Sequence, residues 1–274
     1  MLTRAITGAV FLLIMISAIV FHQLTFAAVF LFIIIVGLHE FFVLLEKNGY
    51  FPQKWTGILI GSLTFGVLFF NNATNYGASG KMLALYVPAF FMIFLIELFR
   101  TREQAFANIA LTLLGIFYIS VPMSLWNLIV VQHGQNNVTT TYNWHYLLGY
   151  FFLVWSVDTG GYMAGKAFGK HKLWERHSPK KTWEGSAGSL ILSVGVACAI
   201  GRFYTELTTT QWVIVALITT VLGSLGDLVE SMFKRSIHIK DSGSILPGHG
   251  GILDRFDGVF MSSPFVVAYM IFIR

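Results

Sequence analysis

The chain has 274 residues, of which 55% are hydrophobic and only 11% charged, with a formal net charge of +5. Ordinary soluble domains carry about 25% charged residues, so this composition excludes a water-soluble globule and points to an integral membrane protein. The basic balance, without any soluble domain bearing aromatic platforms, also argues against nucleic acid as a partner; it suits anionic lipid headgroups and nucleotide phosphates at a membrane face.

In chain order, nine apolar stretches stand out, near 4–21, 26–45, 55–70, 82–98, 106–131, 146–165, 186–203, 211–233 and 258–273. A hydrocarbon layer of about 30 Å takes roughly 20 helical residues, and the stretches lack the alternation of barrel strands. The expected fold is therefore all-α, a polytopic membrane helical bundle of about nine transmembrane helices in one integral membrane domain over 1–274. Within it, 1–140 holds the N-terminal helices and 141–274 forms a C-terminal half carrying the polar loops 166–185 and 234–257. Arg4 followed by the apolar run from Phe11 to Phe21 reads as a retained signal anchor, since no small-residue cleavage site follows. Pro122 predicts a kink in the fifth stretch. The single cysteine, Cys198, lies among Val, Ala and Ile and reads as a small packed side chain, not a redox or metal site.

Loop charges give the orientation. Threading the nine stretches back and forth puts 15 of the 18 Lys and Arg on the side of the N-terminus. One loop holds Lys166, Lys170, Lys172, Arg176, Lys180 and Lys181, and another holds Lys234, Arg235, Lys240 and Arg255, whereas only Lys81, Arg202 and Arg274 fall on the opposite side. The positive-inside rule then places the N-terminus and both basic loops in the cytoplasm and the C-terminus outside.

Acids inside such a protein need a reason, because a charge near mid-bilayer costs about 2.5–3.5 kcal/mol on insertion scales. Glu40, Asp158, Asp227 and Glu230 all fall within or at the ends of the stretches. Glu40, beside His39, reads equally as half of a structural pair in the bundle or as a functional group. Asp158 opens the run Asp158, Thr159, Gly160, Gly161, Tyr162, whose glycines are expected to interrupt a plain helix. Asp227 and Glu230 share a helix face with Ser231 and Lys234. Gly160, Gly165 and Lys166 imitate a Walker A loop, but Ala167 stands where Ser or Thr would reach magnesium and no strand precedes it. Gly161, Gly165 and Gly169 instead have the four-residue spacing of close helix packing. In the segment from Ser178 to Gly185, Lys180 and Lys181 stand beside a helix start, where charge and free N–H groups suit a phosphate.

The polar run from Ser231 to Asp257 carries the densest chemistry. It resembles the signature of the phosphatidate cytidylyltransferases, or CDP-diacylglycerol synthases, at Ser231, Lys234, Arg235, Lys240, Asp241, Gly243, Leu246, Pro247, His249, Gly250, Gly251, Asp254, Arg255 and Asp257. Asp158 to Gly161 and Ser178 to Gly185 also look like segments of that family, while the first 140 residues agree with it only in being apolar. The resemblance implies that CTP and phosphatidic acid give CDP-diacylglycerol and pyrophosphate with Mg²⁺, as one or two ions. Phosphatidate brings its own nucleophile, a phosphate whose second pKa is near 6 if it behaves like other phosphomonoesters. The protein's task is then to position two anions and stabilise the charge that builds on pyrophosphate.

On that resemblance the metal is assigned to Asp227 and Asp254, with Asp158 as a further candidate ligand, because a glycine-rich loop folding back would bring its flanking aspartates together. Lys234, Arg235, His249 and Arg255 are assigned to phosphates, with Lys180 and Lys181 approaching from the preceding loop. Asp227, Asp254, Lys234 and Arg255 form the expected catalytic set. Gly248, Gly250 and Gly251 permit a turn whose N–H groups face an anion, and Asp257 reads as a cap of the final helix. The implied partners are CTP, phosphatidic acid and membrane lipids, with a homodimer compatible. Competing readings are a CTP-dependent polyprenol or phytol kinase and, in another class, an ion-coupled transporter; the gathering of polar groups at one face and one long loop disfavours transport.

Overall fold

The structure is a computed structural model that describes residues 2–73, 79–133, 140–174, 178–239, 242–243 and 250–273. The described chain is dominated by helices: α1 Leu2–Phe21, α2 Gln23–Lys47, α3 Lys54–Ala73, α4 Ser79–Leu98, α5 Ala105–Gly115, α6 Val121–Leu125, α7 Asn127–Val130, α8 His145–Phe168, α9 Trp183–Phe203, α10 Thr209–Ser236 and α11 Leu253–Phe272. The nine apolar stretches read from the sequence coincide with helical segments to within one residue at either end, the fifth being split. Two short antiparallel hairpins, absent from the all-α expectation, pair β1 Val131–His133 with β2 Thr140–Tyr142 and β3 Lys172–Trp174 with β4 Ser178–Thr182.

Among the described residues, five helical segments are long and apolar enough to cross a membrane: Gln23–Lys47, Lys54–Asn72, Ala105–Val130, Trp183–Phe203 and Thr209–Ser236. Phe21, Phe106, Phe203 and Phe272 are 76–89% exposed. Such apolar exposure is costly in water and neutral in lipid. Cys198 is exposed as well, which corrects the expectation of a packed side chain: a small apolar residue on the outside of a helix reads the same from composition as one inside.

Helix starts follow from local capping. The His22 ring accepts the Leu24 N–H at 3.1 Å and Thr25 Oγ1 accepts the His22 N–H at 3.1 Å, closing a reciprocal box ahead of α2. Thr208 and Gln211 close the same kind of box ahead of α10, and Thr182 caps α9 by accepting the Gly185 N–H. In the fifth stretch the expected disturbance at Pro122 takes the form of a π-helical turn over Ile116–Ser120, immediately before α6.

The chain gathers into two compact units, one of Met1–Asn143 with Asp241–Arg255, the other of Trp144–Lys240 with Phe256–Arg274. The first has an aromatic interior where Phe26 meets Phe30, Phe65 and Tyr142. It also buries an acid the sequence reading passed over. Glu97 is 3% exposed and accepts hydrogen bonds from Gln53 Nε2 at 2.8 Å, Arg100 at 2.7 Å and Asn108 Nδ2 at 3.1 Å. Thr112 Oγ1 and Asn108 Oδ1 in turn receive the backbone N–H groups of Gln53 and Phe51, so the network ties the α2–α3 connection to α4 and α5.

The second unit is built on α8 packed against α9. α8 runs unbroken through Asp158 to Tyr162, contrary to the expected interruption. The reason is contact with α9: a Cβ on Gly160 would lie 2.6 Å from the Gly188 carbonyl oxygen, and one on Gly188 would lie 2.2 Å from Ala164 Cβ. The glycines let two backbones meet, and the packing offsets their poor helix propensity. Of the glycines expected from their spacing to pack, Gly161 and Gly165 also face α9, where a Cβ would lie 2.7 Å from Ser189 Oγ and 3.6 Å from Gly185 Cα, respectively.

Candidate active site

In the second unit the chemistry collects where β4 meets α10 and where Asp257 of α11 adds a further acid. Lys181, on β4, holds Asp227 with Nζ 2.8 Å from Oδ2 and donates to the Ser224 carbonyl at 3.0 Å. Four residues on, the Ser231 hydroxyl donates to Asp227 Oδ1 at 3.3 Å, so this hydroxyl serves the carboxylate and not the backbone. Glu230 and Lys234 pair along the same helix at 2.6 Å. The face of Asp227, Glu230, Ser231 and Lys234 inferred from spacing is therefore present and internally bonded.

Asp257 joins these groups from α11. It is half-buried and feels the charges of Asp227, Glu230 and Asp158. It stands inside α11, with its Oδ1 accepting the Gly258 N–H at 2.7 Å, which corrects its reading as a cap. Gly226 allows this approach, since a Cβ there would lie 2.5 Å from the Asp257 carbonyl oxygen. Asp158 itself is exposed on α8. Lys180 and Arg235 are also exposed, and the Arg235 guanidinium donates to the Ile239 carbonyl at 3.3 Å.

In the first unit the glycine-rich loop is organised by Asp254. Its Oδ2 accepts the Ser242 N–H at 3.1 Å, the Ser242 hydroxyl at 2.8 Å and the Gly251 N–H at 3.0 Å. Gly250 has φ +85°, a conformation L residues avoid, and a Cβ there would lie 2.6 Å from Asp254 Oδ2. Glu40 is buried beside the same segment and accepts the Leu253 N–H at 3.1 Å. Its partner is thus the loop and not His39, whose ring lies 6.3 Å from that of Trp55. Arg255 is exposed. His249, with Lys240, Asp241, Leu246, Pro247 and Gly248 of the signature, lies outside the described residues.

Asp227 belongs to the second unit and Asp254 to the first. Spacing identified Asp227, Glu230 and Lys234 as a group. It missed Lys181 as the partner of Asp227, the place of Asp257 among the acids, and Glu40 at the loop. The available signal for Glu40 was its charge within an apolar stretch.

Among the described residues no three His, Cys, Asp or Glu side chains converge closely enough to enclose a metal ion. The donor chemistry nevertheless fits a hard dication. Asp227, Glu230 and Asp158 each lie within electrostatic reach of Asp257, and Mg²⁺ is typically held by one or two carboxylates completed by water and substrate phosphates, not by an all-protein cage.

The Cytidylyltransferase family model matches residues 2–273, so the chain belongs to that family over its whole length, including the N-terminal part that carries no motif. The chain is 51% identical over 122 residues to a phosphatidate cytidylyltransferase of Staphylococcus aureus strain COL, covering 44% of this chain and 46% of the relative. It is 50% identical over 122 residues to the enzyme of the same name from Staphylococcus haemolyticus, and 47% over 121 residues to that from Staphylococcus epidermidis. These matches span slightly less than half the length of the relatives.

Proposed function

We propose that this cytidylyltransferase-family protein transfers the cytidylyl group of CTP to phosphatidic acid, releasing pyrophosphate and leaving CDP-diacylglycerol in the membrane. The observation that carries the reading is the carboxylate group of α10 and α11, poised with Lys181 and Lys234, in a chain whose relatives bear that enzyme's name.

In this reading a phosphate oxygen of phosphatidate attacks the α-phosphorus of CTP, the new O–P bond forms, and the bond to pyrophosphate breaks. Mg²⁺, one ion or two, supplies neutralisation of the phosphate charge that otherwise keeps the two anions apart. Asp227 and Asp254 are its proposed ligands, each on the geometry of its own unit, with Asp158 and Asp257 adding negative potential near Asp227. Lys181 orients Asp227 and offers an ammonium to a phosphate oxygen; Lys180, Lys234, Arg235, His249 and Arg255 supply further positive charge. Gly250 and Gly251 give the loop the backbone freedom to bring N–H groups to an anion. The lipid reaches the site sideways between helices, its chains remaining in hydrocarbon. Nine membrane spans, a cytoplasmic N-terminus and a cytoplasmic site complete the proposal.

The test is the product formed from CTP labelled in the cytosine ring, with phosphatidic acid and Mg²⁺ and purified protein. Label is expected in the lipid phase, as CDP-diacylglycerol. Label appearing only in aqueous CDP with a phosphorylated lipid acceptor identifies a kinase instead, and no CTP turnover in detergent removes the enzyme reading.

A further inference from the structure

Glu40 is a carboxylate that the reaction as described does not use, yet it is 5% exposed in the second half of α2. Its Oε2 accepts the N–H of Leu253, 213 positions further along the chain, and the neighbouring Ile252 N–H adds favourable electrostatics at the carboxylate. Leu253 opens α11, so Glu40 satisfies a donor that a helix start otherwise leaves without an internal partner, and places negative charge at the positive end of the helix. Among the described residues its Oε1 is buried with no hydrogen-bond partner.

The loop closes on the same carboxylate from both described ends. A Cβ on Gly243 would lie 2.7 Å from Glu40 Oε1, and one on Gly251 would lie 2.6 Å from Oε2 and 2.4 Å from the Ser242 hydroxyl. Any side chain at either position would have to displace Glu40, so the glycines and the carboxylate fit as a set. Asp254 then gathers the loop from its other side through Ser242 and Gly251. The start of α11 and two contact glycines thus converge on one side chain from the part of the chain that carries no signature, with the Asp254 cradle alongside.

We infer that Glu40 is the positioning residue of the glycine-rich loop, fixing the start of α11 and with it the placement of Asp254 and Arg255. The inference concerns the site read above as a cytidylyltransferase centre and rests on that reading for its catalytic consequence alone. Glu40 touches no reacting atom in this account; it acts through the loop.

The test is amide hydrogen exchange on the full-length protein in detergent, which needs no substrate, together with steady-state kinetics. Glu40→Ala is expected to speed exchange at Ile252 and Leu253 about tenfold or more, the scale of losing a hydrogen bond to a charged acceptor, while α3 and α5 keep their protection. kcat falls by a comparable factor with KM for CTP changed by less than about threefold, as for loss of an arrangement needed only in the transition state. Glu40→Gln retains an acceptor oxygen and restores both readouts to within about threefold of the parent. Unchanged exchange at Ile252 and Leu253 in Glu40→Ala overturns the inference, as does a rise shared equally by α2, α3 and α5, which marks general scaffolding. If Glu40→Ala does not accumulate folded, Glu40→Asp, one methylene too short for the same contact, carries the comparison. Lost loop protection in a protein whose parent forms no CDP-diacylglycerol upholds the positioning role and rejects the catalytic reading.

Discussion

Asp227 and Glu230 each hold a lysine, but in surroundings that give the two pairs different meaning. The side chains of Lys181 and Asp227 are 24% and 42% exposed, whereas those of Lys234 and Glu230 are 14% and 4% exposed. An accessible pair contributes about 0–1 kcal/mol to stability, so Asp227 and Lys181 are available for chemistry at little structural cost. A buried pair broken on one side costs about 3–5 kcal/mol, because the remaining charge loses its compensation. Asp227→Asn is therefore expected to leave thermal unfolding in detergent nearly unchanged while lowering CDP-diacylglycerol formation by about a hundredfold or more, the scale of removing one charge-stabilising group. Lys234→Met is expected to lower both, with a clear drop in unfolding temperature. Full activity in Asp227→Asn would remove it from the proposed ligand set. Asp254→Asn is a separate case: it weakens the acceptor of three hydrogen bonds in the loop, so activity should fall together with loop order.

At the scale of elements, the α8–α9 contact makes the sharpest prediction, because two glycines of one helix meet opposite surroundings. A Cβ at Gly188 would lie 2.2 Å from Ala164 Cβ and 2.8 Å from the Gly160 carbonyl oxygen, while one at Gly195 would meet nothing within 4 Å. Gly188→Ala should destabilise by about 1–3 kcal/mol through overpacking. Gly195→Ala should be neutral or stabilising by up to about 1 kcal/mol, as removing glycine from a helix interior predicts. Denaturation of the two variants in the same detergent separates them. The four-residue spacing of Gly161, Gly165 and Gly169 pointed to packing on α8, and Gly161 and Gly165 do face α9, but it did not reveal Gly188 or the continuity of α8: local propensity argues for a break at Asp158 to Tyr162, and only contact with α9 reverses it. Likewise, Pro122 announced a disturbance without revealing the π turn that accommodates it. The hairpin of β3 and β4 was hidden because its strands are short and charged, without the apolar alternation that signals a half-buried strand. For the site, ionic partners on one helix could be read from spacing, whereas Lys181 with Asp227 and Glu40 with Leu253 depend on tertiary folding.

For the molecule as a whole, membrane sidedness is the proposal with the widest consequences, since it decides which pool of CTP the site can draw on. α9 has 21 residues, a length of about 30 Å at 1.5 Å per residue, matching the hydrocarbon thickness. Only the short segment 204–208 separates it from α10, which has 28 residues and is also apolar enough to span. Two successive spans joined this way return the chain to the side it left. The hairpin of β3 and β4 before α9 and the Lys234–Arg235 end of α10 must then share one compartment, with Thr205 facing the other. The shared side carries Lys170, Lys172, Lys180, Lys181, Lys234 and Arg235, against Arg202 at the opposite end, and on the positive-inside rule the proposal puts this basic side in the cytoplasm. Cys198 is the single native thiol, so a Cys198→Ser background permits a direct measurement with a membrane-impermeant maleimide on intact cells. Thr205→Cys, exposed in the α9–α10 connection, should label from outside. Lys172→Cys, exposed on the hairpin, should label only after the membrane is opened. The reverse pattern would invert the protein and move the site away from cytoplasmic CTP, and labelling of both positions from outside would remove a membrane crossing between them.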